Sequence, residues 1–253
     1  MNNNSWKAIF DKYKIQRHNF NKEPYIITAE KIKQATAHFK KTNEKEVRIL
    51  CKQDSRENRP QVFVEKGVFL LPIKNGKYAI VKGEGYFDIP EIKKTAKIYT
   101  SKLDFHLDTS QVGNSEMQHL DFAYAASLIR TFLKDETLVL TIRGRKYTPE
   151  FSFRVGKQKI IAMSVQTEVD AGYEGKNQLV LVEAKNSKTS NTIIRQLFYP
   201  FRQWSQHTKK TVRTLFFEKR GKFYSLWQFE FDDINDYNSI RLTQSCRYEI
   251  IEK

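Results

Sequence analysis

The stretch that most constrains the fold is residues 166–185, which read QTEVDAGYEGKNQLVLVEAK. The segment 164–170 alternates polar and apolar side chains, which predicts a strand with one buried face. The segment 178–185 is continuously apolar over 179–182, which predicts a strand buried on both faces. Because the polar residues between the two segments include a glycine, the two strands are expected to form a hairpin.

The register of this hairpin brings two carboxylates together. If the turn is centred on residues 176–177, Asp170 lies opposite Glu183. In the same register, Glu168 lies opposite Lys185. Directly opposed side chains are roughly 5 Å apart, and like charges at that distance destabilise a sheet unless a cation lies between them. A hard divalent cation such as Mg²⁺ accepts carboxylate oxygens, and two carboxylates, a cation and an ammonium are the components of metal-assisted phosphodiester hydrolysis.

The order of these residues resembles a known nuclease signature. Asp170, a short spacer and an apolar strand that ends in Glu183-Ala184-Lys185 resemble the PD-(D/E)XK nuclease superfamily, and within it the type II restriction endonucleases. Val169 stands where that signature has proline. A helix is expected after the strand, as in that superfamily.

The resemblance implies a fold and a reaction. The fold would be α/β, and α+β overall: a restriction-endonuclease-like core with a mixed central sheet of about five strands flanked by helices, preceded by an α+β N-terminal domain. The reaction would be Mg²⁺-dependent, sequence-specific cleavage of double-stranded DNA that leaves 5′-phosphate and 3′-hydroxyl ends. A homodimer would match a palindromic target, and a cognate DNA methyltransferase is expected in the same system.

The resemblance also implies roles for the residues of the hairpin. Asp170 and Glu183 would hold Mg²⁺ together with the backbone carbonyl of Ala184. Lys185 would orient or activate the attacking water. Glu168 would hold a second metal ion or pair with Lys185.

Two glutamines are candidates for support of this site. Gln166 lies on the same predicted strand face as Asp170. Gln196 lies on the helix expected after the catalytic strand, where a glutamine lines the active site in several relatives of this fold. The alternative is that Gln196 is an ordinary glutamine on the helix surface.

Three other interpretations fit parts of the same sequence. A Glu-x-Lys at a strand end is commonly a solvated surface ion pair. The same catalytic residues would serve a structure-specific repair or recombination nuclease that cuts branched or damaged DNA. In the third interpretation the chain is a basic nucleic-acid-binding protein without catalytic activity, and the hairpin carboxylates are incidental.

The charge of the chain favours a polyanionic partner. It has 44 lysines and arginines against 29 aspartates and glutamates, which gives a formal net charge of +15. Nucleic acid fits this charge better than a membrane surface does. No run approaches the ~18 apolar residues of a membrane span, and the first residues lack the pattern of a signal peptide. The two cysteines are far apart and indicate neither a disulfide framework nor a zinc site, so a cytoplasmic protein is expected.

Two domains are predicted, an N-terminal α+β domain over residues 1–95 and the catalytic domain over residues 96–253. The N-terminal domain is expected either to contact DNA or to be a scaffold whose charges are solvated. Its predicted elements are a helix capped by Ser5, a helix beginning at Thr28, strands at 48–51, 62–64 and 67–73, and a hairpin through Asn75-Gly76 into 77–83. Those of the second, besides the catalytic hairpin, are a helix at 116–133, strands at 138–142, 151–155 and 160–163, a helix at 192–204 that Pro200 kinks or splits, and strands at 210–218 and 223–231.

Seven basic residues are candidates for contacts with DNA. They are Lys31 and Lys33 on the helix after Thr28, Arg143, Arg145 and Lys146 in a predicted basic turn, and Lys188 and Arg195 after the catalytic strand. The basic turn fits an ordinary surface loop equally well.

Overall fold

The computed structural model describes residues 2–252, the side chain of Gln111 excepted; Met1 and Lys253, the outer ends of the two predicted domains, lie outside this range. The first elements are α1 Asn3–Lys12, β1 Tyr25–Thr28, α2 Ala29–Thr36, α3 Thr42–Lys45, α4 Val47–Leu50, α5 Gln61–Lys66, β2 Val68–Lys74, β3 Lys77–Lys82, β4 Tyr86–Asp88 and β5 Lys97–Thr100. They are followed by α6 Glu116–Ala125, α7 Leu128–Leu133, β6 Val139–Tyr147, β7 Phe151–Val155, β8 Gln158–Ala162, β9 Gln166–Glu174 and β10 Gln178–Lys185. The last are β11 Asn191–Ile193, α8 Arg195–Trp204, β12 Thr211–Arg220, β13 Phe223–Phe231 and β14 Ile240–Ile251, and single 3-10 turns occur at Ile15–Arg17, Arg56–Asn58 and Asp108–Gln111.

The fold is α+β and is organised around a mixed sheet of seven strands in the order β5-β14-β13-β12-β10-β9-β6. The pairs β10–β12 and β14–β5 are parallel, and the other pairs are antiparallel. The prediction of a mixed sheet is confirmed, but the prediction of about five strands is wrong. The strands β5 and β14 were missed because they are largely half-buried or exposed and carry polar residues throughout, so their apolar periodicity is weak.

Helices cover both faces of this sheet. Leu215 and Phe217 of β12 belong to a buried cluster with residues of α6 and α7, whereas Phe216 between them belongs to a cluster with Leu197 and Phe198 of α8. This division follows from the two-residue period of a strand, which sends successive side chains to opposite faces. Within residues 2–252, no helix is both long and apolar enough to cross a membrane.

The hairpin β9–β10 has the predicted register. Leu179 pairs with Glu174 and Val182 pairs with Ala171, so the turn is centred on residues 176–177. Strand β10 is buried from residue 178 to residue 184, as expected for a strand covered on both faces. Pairing between the two strands ends at Val182, and β9 continues along β6 instead.

A glycine lets β6 and β9 approach each other next to the end of the hairpin. A Cβ atom on Gly172 would lie 2.7 Å from Cβ of Ile142 on β6. We therefore expect Gly172→Ala to cost about 1–3 kcal/mol of unfolding free energy, measured by urea denaturation. Removing the clashing Cβ atom should relieve the strain, so Gly172→Ala should cost less in an Ile142→Gly background. An equal cost in both backgrounds would contradict this explanation.

The N-terminal elements pack on a separate three-stranded sheet of order β1-β3-β2. One face of β2 belongs to the N-terminal core, through Val68 and Leu70. The other face carries Phe69 and Leu71, which pack in the same cluster as residues of α8 and β12. Strand β2 therefore joins the N-terminal part to the central sheet through a shared core.

Three predictions for the N-terminal part are wrong. Ser5 does not cap α1; it is buried within the helix and donates a hydrogen bond to the carbonyl of Glu44 at 2.7 Å. The segments 48–51 and 62–64 belong to the helices α4 and α5 rather than to strands. Their β-branched residues favour strands, but each segment buries one large side chain, Leu50 or Phe63, in the N-terminal core and leaves Ile49 or Val64 exposed. The helix predicted to begin at Thr28 is confirmed, with Thr28 as its N-cap, and so is the hairpin at Asn75-Gly76.

Three predictions for the second part need correction. The helix predicted at 116–133 is interrupted at Ser127, whose φ of 66° is left-handed. The basic turn predicted at 143–146 is part of β6, because β9 is long enough to pair with it. The helix predicted at 192–204 begins at Arg195 and continues through Pro200, so the alternative in which proline splits it is wrong.

Candidate active site

The three predicted catalytic side chains meet at the end of the β9–β10 hairpin. The Asp170 carboxylate accepts a hydrogen bond from the backbone N–H of Ala184 at 2.7 Å. The Lys185 ammonium donates to the Glu183 carboxylate at 2.5 Å. The Glu183 side chain is 11% exposed and that of Lys185 is 24% exposed, so this is not the solvated surface pair that the sequence also allowed.

An irregularity in β9 positions Asp170. Between the pairs Ile142–Gly172 and Gly144–Val169, β9 contains one residue more than β6. Such bulges turn the side chains of the longer strand and are common beside active sites. Asp170 lies within this irregular segment, directly after the regular alternation of exposed and buried residues over 166–169.

Burial is the main cause that raises the pKa of both carboxyls. The pKa of Glu183 is raised to about 7, mainly because the group is buried; the Lys185 ammonium lowers it, and the Asp170 carboxylate raises it. Burial also raises the pKa of Asp170, although the hydrogen bond from Ala184 and the charge of Lys185 oppose this. Burial lowers the pKa of Lys185, but the hydrogen bond and attraction to Glu183, together with the charges of Asp170 and Glu116, outweigh it and the net shift is upward. The cluster therefore has more carboxylate charge than one ammonium can balance.

This donor set fits a hard divalent cation. It offers the carboxylates of the buried Glu183 and the half-buried Asp170, which are oxygen ligands of the kind that Mg²⁺ prefers, and the resemblance adds the Ala184 carbonyl. Within residues 2–252, no three His, Cys, Asp or Glu side chains are close enough to form a complete metal cage. Mg²⁺ commonly uses one or two carboxylates and takes its other oxygens from water and substrate phosphate, so this set is sufficient.

The cluster lies in a cleft of about 720 Å³ between the central sheet and the N-terminal part. Its lining includes all of the predicted catalytic and supporting side chains, namely Gln166, Glu168, Asp170, Glu183, Lys185 and Gln196. The opposite side of the cleft is formed by Arg48, Lys52, Gln53, Asp54 and Tyr78, among others.

The supporting residues differ in what they contact. Glu168 forms an ion pair with Arg145 at 3.2 Å. The predicted alternative in which Glu168 pairs with Lys185 is wrong, because Lys185 pairs with Glu183. The strands diverge after Val182, so the opposition of Glu168 and Lys185 expected from the register does not form. Gln196 accepts a hydrogen bond from the Thr192 hydroxyl and lines the cleft rather than the outer helix surface. Gln166 is exposed at the cleft.

Only two of the seven predicted DNA-binding residues line the cleft, Arg145 and Arg195. Arg143 is on β6 and forms an ion pair with Asp121 of α6. The other four are exposed and lie outside the cleft: Lys31 and Lys33 on α2, Lys146 on β6 and Lys188 in the loop after β10.

Two carboxylates that line the cleft were not predicted from the sequence as site residues. Glu116 is in the first turn of α6, accepts a hydrogen bond from the backbone N–H of Asn186 at 3.3 Å, and helps to raise the pKa of Asp170. Asp54 lies 3.6 Å from the Arg195 guanidinium and helps to raise the pKa of Glu183. A carboxylate in the first turn of a helix is favoured by the helix dipole, so the sequence gives Glu116 a structural explanation that hides its place in the cleft. No local sequence pattern indicates that Asp54 lies in the cleft.

The fold and the site define an α+β protein with a mixed sheet, in which an aspartate and a Glu-x-Lys meet in a cleft at the ends of two adjacent strands. The family model described as Domain of unknown function (DUF6997) matches residues 81–249, which is more than half of the chain, and the protein belongs to this family. A second model, Domain of unknown function (DUF6996), matches residues 3–80. No curated protein and no solved structure matches the chain.

The two matched ranges meet within β3, and both contribute to the cleft. Asp170, Glu183 and Lys185 lie in the DUF6997 range, whereas Gln53 and Asp54 lie in the DUF6996 range. The predicted domain boundary near residue 95 stays a prediction.

Proposed function

We propose that this protein is a Mg²⁺-dependent endonuclease of the type II restriction class, with a PD-(D/E)XK active site that cuts double-stranded DNA. The observation that supports this most is the contact of Asp170 with the Ala184 backbone beside the buried Glu183–Lys185 pair. Buried carboxylates close to each other are costly. A cation-dependent reaction gives a reason for them that stability alone does not.

Each group has a task that its position allows. Asp170, Glu183 and the Ala184 carbonyl would hold Mg²⁺, which when bound supplies Lewis-acid chemistry and neutralises phosphate charge. The Lys185 ammonium is held by Glu183 and would orient the attacking water and donate a hydrogen bond to the scissile phosphate. The Ala184 N–H orients Asp170 from the opposite strand.

The surrounding cleft adds one element to the proposal. Arg145, held by Glu168, is placed to contact a strand of DNA entering the cleft. A homodimer acting on a palindromic site, a cytoplasmic location and a cognate methyltransferase that protects host DNA complete the proposal.

The direct test is incubation of the purified protein with unmethylated phage DNA, in Mg²⁺ and in EDTA. Discrete fragments that require Mg²⁺ are expected, and sequencing of their ends would identify the target and the 5′-phosphate. A smear, or cleavage confined to branched DNA, would instead support a repair or recombination nuclease. Intact DNA in every condition would contradict the nuclease proposal and favour a binding protein.

A further inference from the structure

The N-terminal wall of the cleft has an arrangement that the proposed reaction does not use. It consists of Arg48, Lys52, Gln53 and Asp54, which lie in and after α4, together with Arg195 at the start of α8. Only Arg195 among them was predicted from the sequence to contact DNA, and none takes part in the chemistry proposed for the carboxylates of β9 and β10.

This wall is fixed to the elements that lead into α8. The Tyr86 hydroxyl donates to the Gln53 carbonyl at 3.0 Å, and the Ile193 N–H donates to the Asp54 carbonyl at 2.9 Å. The Asn191 side chain accepts from the Arg56 N–H at 2.8 Å. Because the segment is hydrogen-bonded to β4 and β11, its backbone is held in place before any ligand binds.

Two polar groups of this wall lack partners in the protein. Gln53 is 3% exposed, and neither its amide nitrogen nor its amide oxygen is hydrogen-bonded to any residue of the described range. The Arg195 guanidinium makes no hydrogen bond to residues 2–252; its buried Nε is unpaired, and the nearest carboxylate, Asp54, is 3.6 Å away. Buried polar groups are nearly always paired, so a ligand is a reasonable partner for these groups.

The charges of the cleft are divided between its two walls. The N-terminal wall and Arg195 provide three cations against one carboxylate, Asp54. The sheet side provides four carboxylates, which include Asp170 and Glu183, against the two cations Lys185 and Arg145. Arg48 forms no ion pair with the described residues, and Lys52 is 74% exposed and 3.9 Å from Asp54, so both remain available to an anion.

We propose that Arg48, Lys52, Gln53 and Arg195 form a second phosphodiester-binding subsite, which binds the backbone of the DNA strand away from the bond that is cut. The cationic side chains contact phosphate oxygens, and the Gln53 amide gains its partner from the same nucleotide once the wall adjusts to the strand. This inference rests on the proposed nuclease function, because it assigns the remaining part of the same cleft. It makes the DUF6996 segment a part of the binding site rather than a separate module.

The first test measures binding of a fluorescent DNA duplex in EDTA, where no cleavage occurs, as the KCl concentration is varied. Each phosphate contact contributes about 0.9 to the slope of log K against log salt. Arg48→Ala/Lys52→Ala should therefore lower the slope by roughly 2, and Arg195→Gln should lower it by about 1. The matched comparison is Lys31→Ala/Lys33→Ala, which removes two exposed cations of α2 outside the cleft.

The comparison variant separates two placements of the DNA. A lower slope for Lys31→Ala/Lys33→Ala, with no change for Arg48→Ala/Lys52→Ala, would place the DNA on α2 and overturn the subsite. Mg²⁺-dependent cleavage with an unchanged slope in the Arg48/Lys52 and Arg195 variants would overturn the subsite alone. Full binding with the expected loss of slope, but no cleavage, would contradict the nuclease function and leave the subsite supported.

The second test uses Gln53→Met, which keeps the size of the side chain and removes the unpaired amide. If the amide has no partner in the free protein, this variant should raise Tm by about 2–4 °C and weaken DNA binding at fixed salt. A lower Tm would show that the amide is satisfied within the protein and would overturn its assignment to a ligand. Unchanged DNA binding would do the same.

Discussion

Replacing Lys185 by alanine is expected to lower the rate of Mg²⁺-dependent DNA cleavage by about a hundred- to a thousandfold. The Lys185 ammonium is the one cation in hydrogen-bond contact with Glu183 in the described part of the chain, and it lies in a largely buried cluster. A positive charge in such an environment stabilises developing negative charge more strongly than it would in water. Initial rates on a plasmid that carries one target site would measure the loss.

Lys188 provides a matched control for this substitution. It lies three residues further along the chain, is exposed in the loop after β10 and does not line the cleft. Lys188→Ala should cleave within a few-fold of the wild-type rate. The circular dichroism of Lys185→Ala should stay close to wild type, since the lost group is not part of an apolar core cluster, and binding of the duplex in EDTA should weaken only by the one lost phosphate contact. If Lys185→Ala cleaved as fast as Lys188→Ala, the catalytic assignment would be wrong.

The hairpin could be predicted from sequence because its determinants are local. The turn at 176–177 and the apolar run of β10 specify which residues oppose each other, and the observed pairing of Val182 with Ala171 follows from them. The meeting of Asp170 with Glu183 and Lys185 then required only the resemblance to a known signature. Even here the pairing could not be extended to Glu168, because the irregularity in β9 is not visible in the alternation of residues.

The second wall of the cleft could not be predicted because its determinants are tertiary. Gln53 and Asp54 reach the site only because α4 is a helix and the loop after it is hydrogen-bonded to β11. Residues 48–51 have the composition of a strand, and burial against the N-terminal core decides otherwise. Strand β14 was missed for the opposite reason, because its backbone pairs along most of its length although its side chains are only partly buried.

Replacing Glu183 by glutamine is expected to stabilise the metal-free protein at pH 8 while it abolishes cleavage. The pKa of Glu183 is raised from its ordinary value of 4.5 to about 7, mainly by burial. A carboxyl whose pKa is higher in the folded state than in the unfolded state stabilises the fold when protonated, and that stability is lost as the pH rises from about 4.5 to about 7. The loss at pH 8 amounts to roughly 3 kcal/mol. Glutamine resembles the protonated carboxyl and avoids this loss.

The pH dependence distinguishes this explanation from a general effect of charge. In EDTA, Glu183→Gln should exceed the wild type in unfolding free energy by roughly 3 kcal/mol at pH 8 and by little near pH 4, as measured by urea denaturation. Glu150→Gln, which removes an exposed carboxylate, should stay within about 0.5 kcal/mol of the wild type at both values. A stability difference for Glu183→Gln that did not change with pH would contradict the raised pKa.

Mg²⁺ should reverse the order of stability. A ligand that binds only the folded state stabilises it in proportion to the logarithm of its concentration above Kd. The wild type at pH 8 should therefore gain stability as Mg²⁺ is added, whereas Glu183→Gln, which lacks one of the two carboxylate ligands, should gain much less. An equal gain in both proteins would mean that the cation binds elsewhere. The ionised Glu183 would then destabilise the fold without having a catalytic role, and the proposed site would lose its main support.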